Sequence, residues 1–327
     1  MKLRRIALAV VAIAVVFVSA GMIMKARADA TFFDGYNRET PLQTVIELDE
    51  TREFFRWTKL YFDGLPGERV PTVLARPLTG DGPFPCVIFL HGIGQNKGFL
   101  EEIAKYYTDE GFAIVSFDQY TRGERRVEKG GVYRGIADLR RRAALNVLET
   151  RRLIDYLESR KDIAADRIYL NGASFGAITG STAAAFEPRI RASVLTYGGG
   201  DIATLLASTS AEKALDERGA SWLLGPLCSL GSYLFAPADP IRYVEKISPR
   251  PVLMQVGRDD SVVPMASGQK LYDAAKDPKE LVIYEGDHIG LDEAHVVKVL
   301  GDSIAWMKKL DLSVISHANA ESSAPTL

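Results

Sequence analysis

The stretch Gly172-Ala173-Ser174-Phe175-Gly176 constrains this chain more than any other five residues. It follows the apolar run Ile168-Tyr169-Leu170 and precedes the small-residue segment Ala177 to Ala185. The pattern predicts a strand, a tight turn and a helix, with a serine at the apex. A serine there must hold a strained backbone, and a side chain at either flanking glycine would collide with the neighbouring strand or helix. The N–H after the serine then sits at a helix N-terminus, where donors are unpaired and the dipole favours negative charge. A near-copy, Gly219-Ala220-Ser221-Trp222-Leu223, repeats three residues but lacks the second glycine and follows no strand-like run. It is not expected to carry chemistry.

The rest of the chain alternates in a way that suits such a turn. Phe54 to Phe62, the Asp63-Gly64 turn and Val70 to Ala75 read as an N-terminal β-hairpin, preceded by a polar, irregular stretch from Thr31 to Thr51. Buried-type strands follow at Cys86–Leu90, Ala113–Phe117, Ile168–Leu170, Arg191–Tyr197, Pro251–Val256 and Leu281–Tyr284. Helical patterns separate them at Phe99 to Tyr107 and from about Ile136 to Ser159, and a closing helix runs from about Asp292 to Leu310. In the long helix Leu139, Ala143, Val147, Ile154 and Leu157 form the apolar stripe, and the arginines and glutamates read as a solvated face. Continuous apolar strands alternating with amphipathic helices argue an α/β chain with a mostly parallel sheet covered on both faces. Residues 201–246 break the alternation, with no strand candidate. They read either as ordinary crossover helices or as a helical cap insertion over the site, since ligands bind at the C-terminal ends of strands in open α/β sheets. Residues 313–327 are small and polar and read as a flexible tail.

A serine hydroxyl is a poor nucleophile at neutral pH and needs a base, which in turn needs an orienting acid. After a serine on a strand–turn–helix elbow, acid and base follow in the order Asp or Glu, then His. Of four histidines, His91 precedes the serine, His295 lies on the closing helix and His317 lies in the tail. His288, in the loop after the last strand, is the expected base. The penultimate strand ends in Gly257-Arg258-Asp259-Asp260-Ser261-Val262-Val263-Pro264, where Asp260 is the favoured acid and Asp259 the alternative, a turn-capping aspartate. Acyl transfer also needs donors where the oxyanion develops. The N–H of Phe175 is one by position. The second is assigned to Ile93, with Gly94 as fallback, in the loop His91-Gly92-Ile93-Gly94 after the first parallel strand. Tyr120, Arg122 and Tyr133 read as surface loop residues that could instead line the site.

The set His91-Gly92-Ile93-Gly94, Gly172 to Gly176, Gly257 to Pro264 and Gly286-Asp287-His288, in this order, resembles the α/β-hydrolase superfamily. Within it the chain is similar to the dienelactone hydrolase and acetyl xylan esterase-like group. Asp166-Arg167-Ile168 before the elbow and Ile247-Ser248-Pro249-Arg250-Pro251 before the aspartate strand also fit, and the likeness runs from about Phe54 to Leu310. Dienelactone hydrolases proper use a cysteine nucleophile, and Ser174 stands in that place, which points to ordinary esters. The resemblance implies a serine esterase without metal or organic cofactor, acting on a small-molecule or carbohydrate ester, with deacetylation of sugar esters among its reactions. A serine peptidase, an acyltransferase and a non-catalytic binding protein on the same fold are the rivals. With a reference histidine pKa of about 6.5, hydrolysis is expected to rise through about pH 6 to 8.

Composition narrows the partners and the compartment. The chain has 327 residues, a formal net charge of −2 and no basic stripe, so nucleic acid is not an expected partner. Two cysteines, Cys86 in an apolar strand and Cys228 in an irregular segment, make no disulfide framework. Met1-Lys2-Leu3-Arg4-Arg5 is basic, Ile6 to Met24 is uncharged and Ala26-Arg27-Ala28 offers a small-residue cleavage site. Residues 1–28 are therefore expected to be a secretory signal, with an uncleaved membrane anchor as the competing reading. Either way the catalytic domain, 29–312, is expected to be secreted or periplasmic, or anchored with the domain outside the cytoplasm.

Overall fold

A computed structural model of the chain describes residues 16–17, 19–128, 130–289 and 293–322, with side chains up to residue 313. It divides into two units, Met1–Asp34 and Gly35–Leu327. In the first, residues 19–30 are helical, with a Lys25–Asp29 ion pair one turn apart. Most of the expected leader lies outside the described residues. Among the described residues no helix is long and apolar enough to cross a membrane.

The second unit is built on a nine-stranded sheet of order β1-β2-β3-β5-β4-β6-β7-β8-β9. The strands are β1 (Val45–Thr51), β2 (Arg56–Asp63), β3 (Arg69–Arg76), β4 (Phe84–Leu90), β5 (Ala113–Phe117), β6 (Ile163–Ala173), β7 (Ile190–Thr196), β8 (Val252–Gly257) and β9 (Lys279–Tyr284). From β5 through β9 every neighbouring pair is parallel, while β1, β2 and β3 add an antiparallel wing. The expected hairpin is thus β2–β3, but the stretch expected to be irregular contributes a third strand, β1. Its residues are almost all exposed, so no buried alternation marks it. Cross-strand ion pairs hold this edge instead, Lys59 with Glu47 and Arg56 with Asp49.

Helices α1 (Leu100–Thr108), α2 (Val132–Glu158), α3 (Phe175–Phe186), α4 (Ile202–Leu206), α5 (Thr209–Asp216), α6 (Leu224–Phe235), α7 (Met265–Ala274) and α8 (Glu293–Ser322) complete the unit. One face of the sheet presents Val87, Phe89, Tyr169, Val194 and Leu253 to Leu100, Ile103 and Tyr107 of α1 and to Leu300, Ile304 and Met307 of α8. On the opposite face Leu90 and Leu170 approach Gly180 of α3 so closely that a Cβ there would lie 2.9 Å from Leu170. This two-faced use of β4 and β6 follows from the period of two in a strand. α8 continues through residues 313–322, where a tail was expected.

The charged run of α2 departs from its expected solvated face. Arg142, Glu149, Arg152 and Asp155 are all buried. Glu149 receives both terminal nitrogens of Arg125 at 2.8 Å, and Arg152 bonds Asp155 at 3.0 Å. Charges that neutralise one another can enter a core that would reject them singly. Periodicity in one helix does not show partners on other elements.

Residues 201–246 are helical without a strand, as expected: α4, α5, α6 and short 3-10 turns. Val244 and Ile247 anchor the end of the segment in the core, while Trp222, Leu227, Leu230 and Tyr233 are exposed. Cys228 lies on α6 rather than in irregular chain, and both cysteines are buried free thiols.

Candidate active site

The parallel register brings the C-terminal ends of β4, β6, β7, β8 and β9 to one edge. Leu90 lies opposite Gly172, Ala173 opposite Thr196, Thr196 opposite Gln255 and Gly257 opposite Tyr284. The loops that carry Ile93, Ser174, Asp260 and His288 all leave from this edge.

Ser174 sits between β6 and α3 with φ 54° and ψ −119°, a strained conformation for a non-glycine residue. The flanking glycines are required by contact. A Cβ on Gly176 would lie 1.8 Å from the Leu90 carbonyl oxygen, and one on Gly172 would lie 2.3 Å from that of Gly176. Both clashes are with backbone, so no side-chain motion relieves them. The Ser174 N–H donates to Thr196 O at 2.8 Å, fixing the turn against β7.

His288 Nε2 lies 2.9 Å from Ser174 Oγ, and its Nδ1 lies 2.7 Å from Asp260 Oδ2. The sequence-predicted serine, acid and base are therefore one connected chain. Asp260 is 5 % exposed, and its other oxygen accepts the N–H groups of Val262 and Val263 at 2.9 and 2.7 Å. Asp259, the alternative acid, is exposed and is held through its backbone N–H by Gly286 O.

Two further residues brace His288, and neither is assigned a role from the sequence. Asp287 accepts the N–H groups of Ser261 and His288, both at 2.7 Å, tying the acid loop to the base loop. Those backbone donors hold its carboxyl below the usual range. Tyr197, at φ 53°, presents its ring edge-on to His288 with centroids 5.7 Å apart. Its hydroxyl lies 2.5 Å from His295 Nε2, so His295 stands behind the site rather than in it. Burial, then the charge of Asp260, pushes the Tyr197 hydroxyl up to about 12. Only tertiary packing joins these positions: Asp287 stands in the Gly286-Asp287-His288 motif, but nothing in that motif shows its contact with Ser261.

The two expected oxyanion donors flank Ser174. Phe175 is the first residue of α3, and its N–H has no partner among the described residues. Ile93 and Gly94 lie in the loop after β4, also with N–H groups unpartnered among the described residues. Gly92 N–H is taken by Gln95 Oε1 at 3.0 Å. His91 is 1 % exposed, and burial pushes its imidazole down to about 4, so it is neutral at pH 7. Its Nδ1–H donates to Gly92 O at 2.9 Å, which holds the loop.

Beneath this loop lies Arg142. Its Nε and Nη2 donate to Gln119 Oε1, its Nη1 to Ile93 O at 3.0 Å, and its plane covers the Phe175 ring at 4.7 Å. Burial, with Arg122 nearby, pushes this guanidinium down to about 9, still a cation at neutral pH. Of the loop residues considered from the sequence, Arg122 donates to Ile93 O at 2.6 Å, Tyr120 stacks under the Arg125 and Arg141 cations, and Tyr133 is exposed.

A cavity of about 550 Å³ opens beside Ser174 and runs between α1 and α8, floored by Phe89, Asn171 and Thr196. Phe99, Ile103, Val296 and Leu300 wall it, and Ile93, Gly94 and His288 form its mouth; no residue of 201–246 lines it. Among the described residues no cluster of His, Cys, Asp and Glu could hold a metal ion.

Residues 32–198 match the family described as acetyl xylan esterase (AXE1), and residues 147–311 match the prolyl oligopeptidase family. Esterase YjfP of Escherichia coli K12 is 26% identical over 210 residues, spanning 63% of this chain and 80% of that protein. Acetyl xylan esterase 1 from Thermoanaerobacterium sp. JW/SL YS485 superposes with a TM-score of 0.67 at 22% identity, covering 88% of this chain and 93% of that one. The acetyl xylan esterase from Paenibacillus sp. R4 gives 0.66 at 18% identity over 86% and 93%. With the sheet order, the elbow at Ser174 and a family match across half its length, the chain belongs to the acetyl xylan esterase family of the α/β-hydrolases and is a carboxylic ester hydrolase.

Proposed function

We propose that this protein is an exported serine esterase in which Ser174 is the nucleophile, His288 the general base and acid, and Asp260 the residue that holds the imidazole. The observation that carries this reading is the unbroken chain from Asp260 through His288 to Ser174 at 2.7 and 2.9 Å. Ser174 Oγ attacks the ester carbonyl carbon as His288 Nε2 takes its proton. The imidazolium gives that proton to the leaving alcohol, and an acyl-enzyme remains. His288 then activates water, which attacks the acyl carbon, and Ser174 leaves with the proton. The N–H groups of Phe175 and Ile93 stabilise the oxyanion in both halves.

The cavity lining supports one reading of the substrate class. Phe89 in the floor and Phe99, Ile103, Val296 and Leu300 in the walls favour an apolar acyl group over a solvated one. Deacetylation of sugar esters is the second reading, supported by the acetyl xylan esterases among the structural relatives. Hydrolysis of 4-nitrophenyl esters from acetate to decanoate, beside acetylated xylan, tests both. A kcat/KM that climbs with chain length to a middle optimum supports the first reading. A preference for acetate together with release of acetate from xylan replaces it with the second, and no hydrolysis of any ester overturns the esterase reading. Export rests on the basic, apolar, small-residue order of residues 1–28. Mass spectrometry of the purified N-terminus checks it: a start after Ala28 supports cleavage, and a start at Met1 contradicts it.

A further inference from the structure

Arg142 lies in α2 with 1 % exposure, and no carboxylate among the described residues bonds its guanidinium. Its helix and its neighbourhood show what buried arginines otherwise do here. Arg152, equally buried, pairs with Asp155, and Arg125 pairs with Glu149 and Glu68. A buried cation without a counter-ion is costly, and its donors point elsewhere: to Gln119 Oε1, to Ile93 O and, more distantly at 3.5 Å, to Gly92 O.

We propose that Arg142 is a positioning residue of the oxyanion hole, fixing the peptides of the donor loop and the ring of Phe175, with a positive charge that no bonded carboxylate cancels. The inference rests on Ser174 being the nucleophile. In a planar trans peptide the C=O and N–H point in opposite directions. Gly92 O is held by His91 Nδ1 at 2.9 Å and faces Arg142, so the Ile93 N–H points away from the guanidinium. Ile93 O is held by Arg142 at 3.0 Å and by Arg122 at 2.6 Å, which turns the Gly94 N–H the same way. Both N–H groups are thereby freed on the side where Gly92, Ile93, Gly94 and Ser174 line the cavity. Gln119 completes the support by donating to His91 O at 2.8 Å while accepting from Arg142, so carbonyls 91, 92 and 93 are all held by buried donors. The ring of Phe175, whose N–H is the other donor, packs on the guanidinium face. One side chain thus touches both halves of the oxyanion hole without touching substrate.

The test measures kcat, KM and melting temperature on a 4-nitrophenyl ester for four variants. Arg142→Met is expected to lower kcat about 100-fold with KM little changed, the scale of losing one oxyanion donor. Arg142→Lys, which keeps the charge but not the planar fork, should recover part of that loss. Gln119→Glu supplies the missing counter-ion and gives up the Nε2 donor that holds His91 O, so it should lower kcat as well. Arg152→Met is the control for a structural arginine: it should lower the melting temperature and leave kcat of the folded protein unchanged. Folded Arg142→Met with kcat within about three-fold of wild type, far short of a lost donor's effect, overturns the proposal. If that variant does not fold, unchanged kcat in both Arg142→Lys and Gln119→Glu overturns it. Full activity in Ser174→Ala would instead remove the nucleophile reading beneath it.

Discussion

The chain writes Gly-Ala-Ser twice, at 172–174 and at 219–221, and the structure treats the two copies in opposite ways. Ser174 leaves a strand at positive φ, is boxed in by backbone on both sides and faces an imidazole at 2.9 Å. Ser221 opens a 3-10 turn, donates to Asp216 at 3.0 Å, and follows a Gly219 around which a Cβ would meet nothing within 4 Å. The difference lies in the surroundings. At Ser174 two neighbouring strands and a helix enforce the strain, and three loops from one sheet edge bring Asp260, His288 and the N–H groups of Ile93 and Gly94 to it. At Ser221 the glycine simply turns the chain on an exposed segment.

Substitutions at paired positions sharpen this contrast. Ser174→Ala should cost about 10⁶-fold in kcat, the scale seen when a triad nucleophile is removed, whereas Ser221→Ala should leave ester hydrolysis unchanged; steady-state assays on both check it. Next, Asp260→Asn should lower kcat by roughly 10⁴-fold, because the amide favours the wrong imidazole tautomer. Asp259→Asn, at an exposed position, should keep a near-normal rate, and the reverse result would exchange their roles.

Gly176→Ala should destabilise by at least about 3 kcal/mol, since the added carbon meets a backbone carbonyl that has no rotamer to yield; urea unfolding measures it. His91 supplies a pH signature of the donor loop. Its folded pKa of about 4 lies below the reference 6.5, so the unfolded chain binds the extra proton first. Its contribution is intact above pH 6.5 and is lost as pH falls toward 4, a change of roughly 3 kcal/mol. Unfolding at pH 7 and pH 4.5 should show a flatter dependence for His91→Gln. Gly219→Ala should cost least, about 1–2 kcal/mol, because only its φ of 63° opposes a side chain.

Much of this was legible in the sequence because it is local or ordered along the chain. The glycines around Ser174 report sterics within one turn, and the order serine, aspartate, histidine reports which strand ends carry the loops. The parallel strands announce themselves as apolar runs. What was not legible depends on partners distant in sequence. Strand β1 is held by ion pairs at an exposed edge, so hydrophobic alternation was absent. Arg142 looked like one more charge on a solvated helix, and only the fold reveals that its acceptors are carbonyls and an amide more than twenty positions away. The Gly286-Asp287-His288 motif marks Asp287 only as a neighbour of His288, whereas its carboxylate joins two loops that are adjacent only in space.

The most direct test of the account is covalent labelling with a fluorophosphonate probe, mapped by peptide mass spectrometry on wild type, Ser174→Ala and Ser221→Ala. The label should fall on Ser174 in wild type and in Ser221→Ala, and should vanish in Ser174→Ala together with ester hydrolysis. A label on another residue, or full hydrolysis by Ser174→Ala, would contradict it.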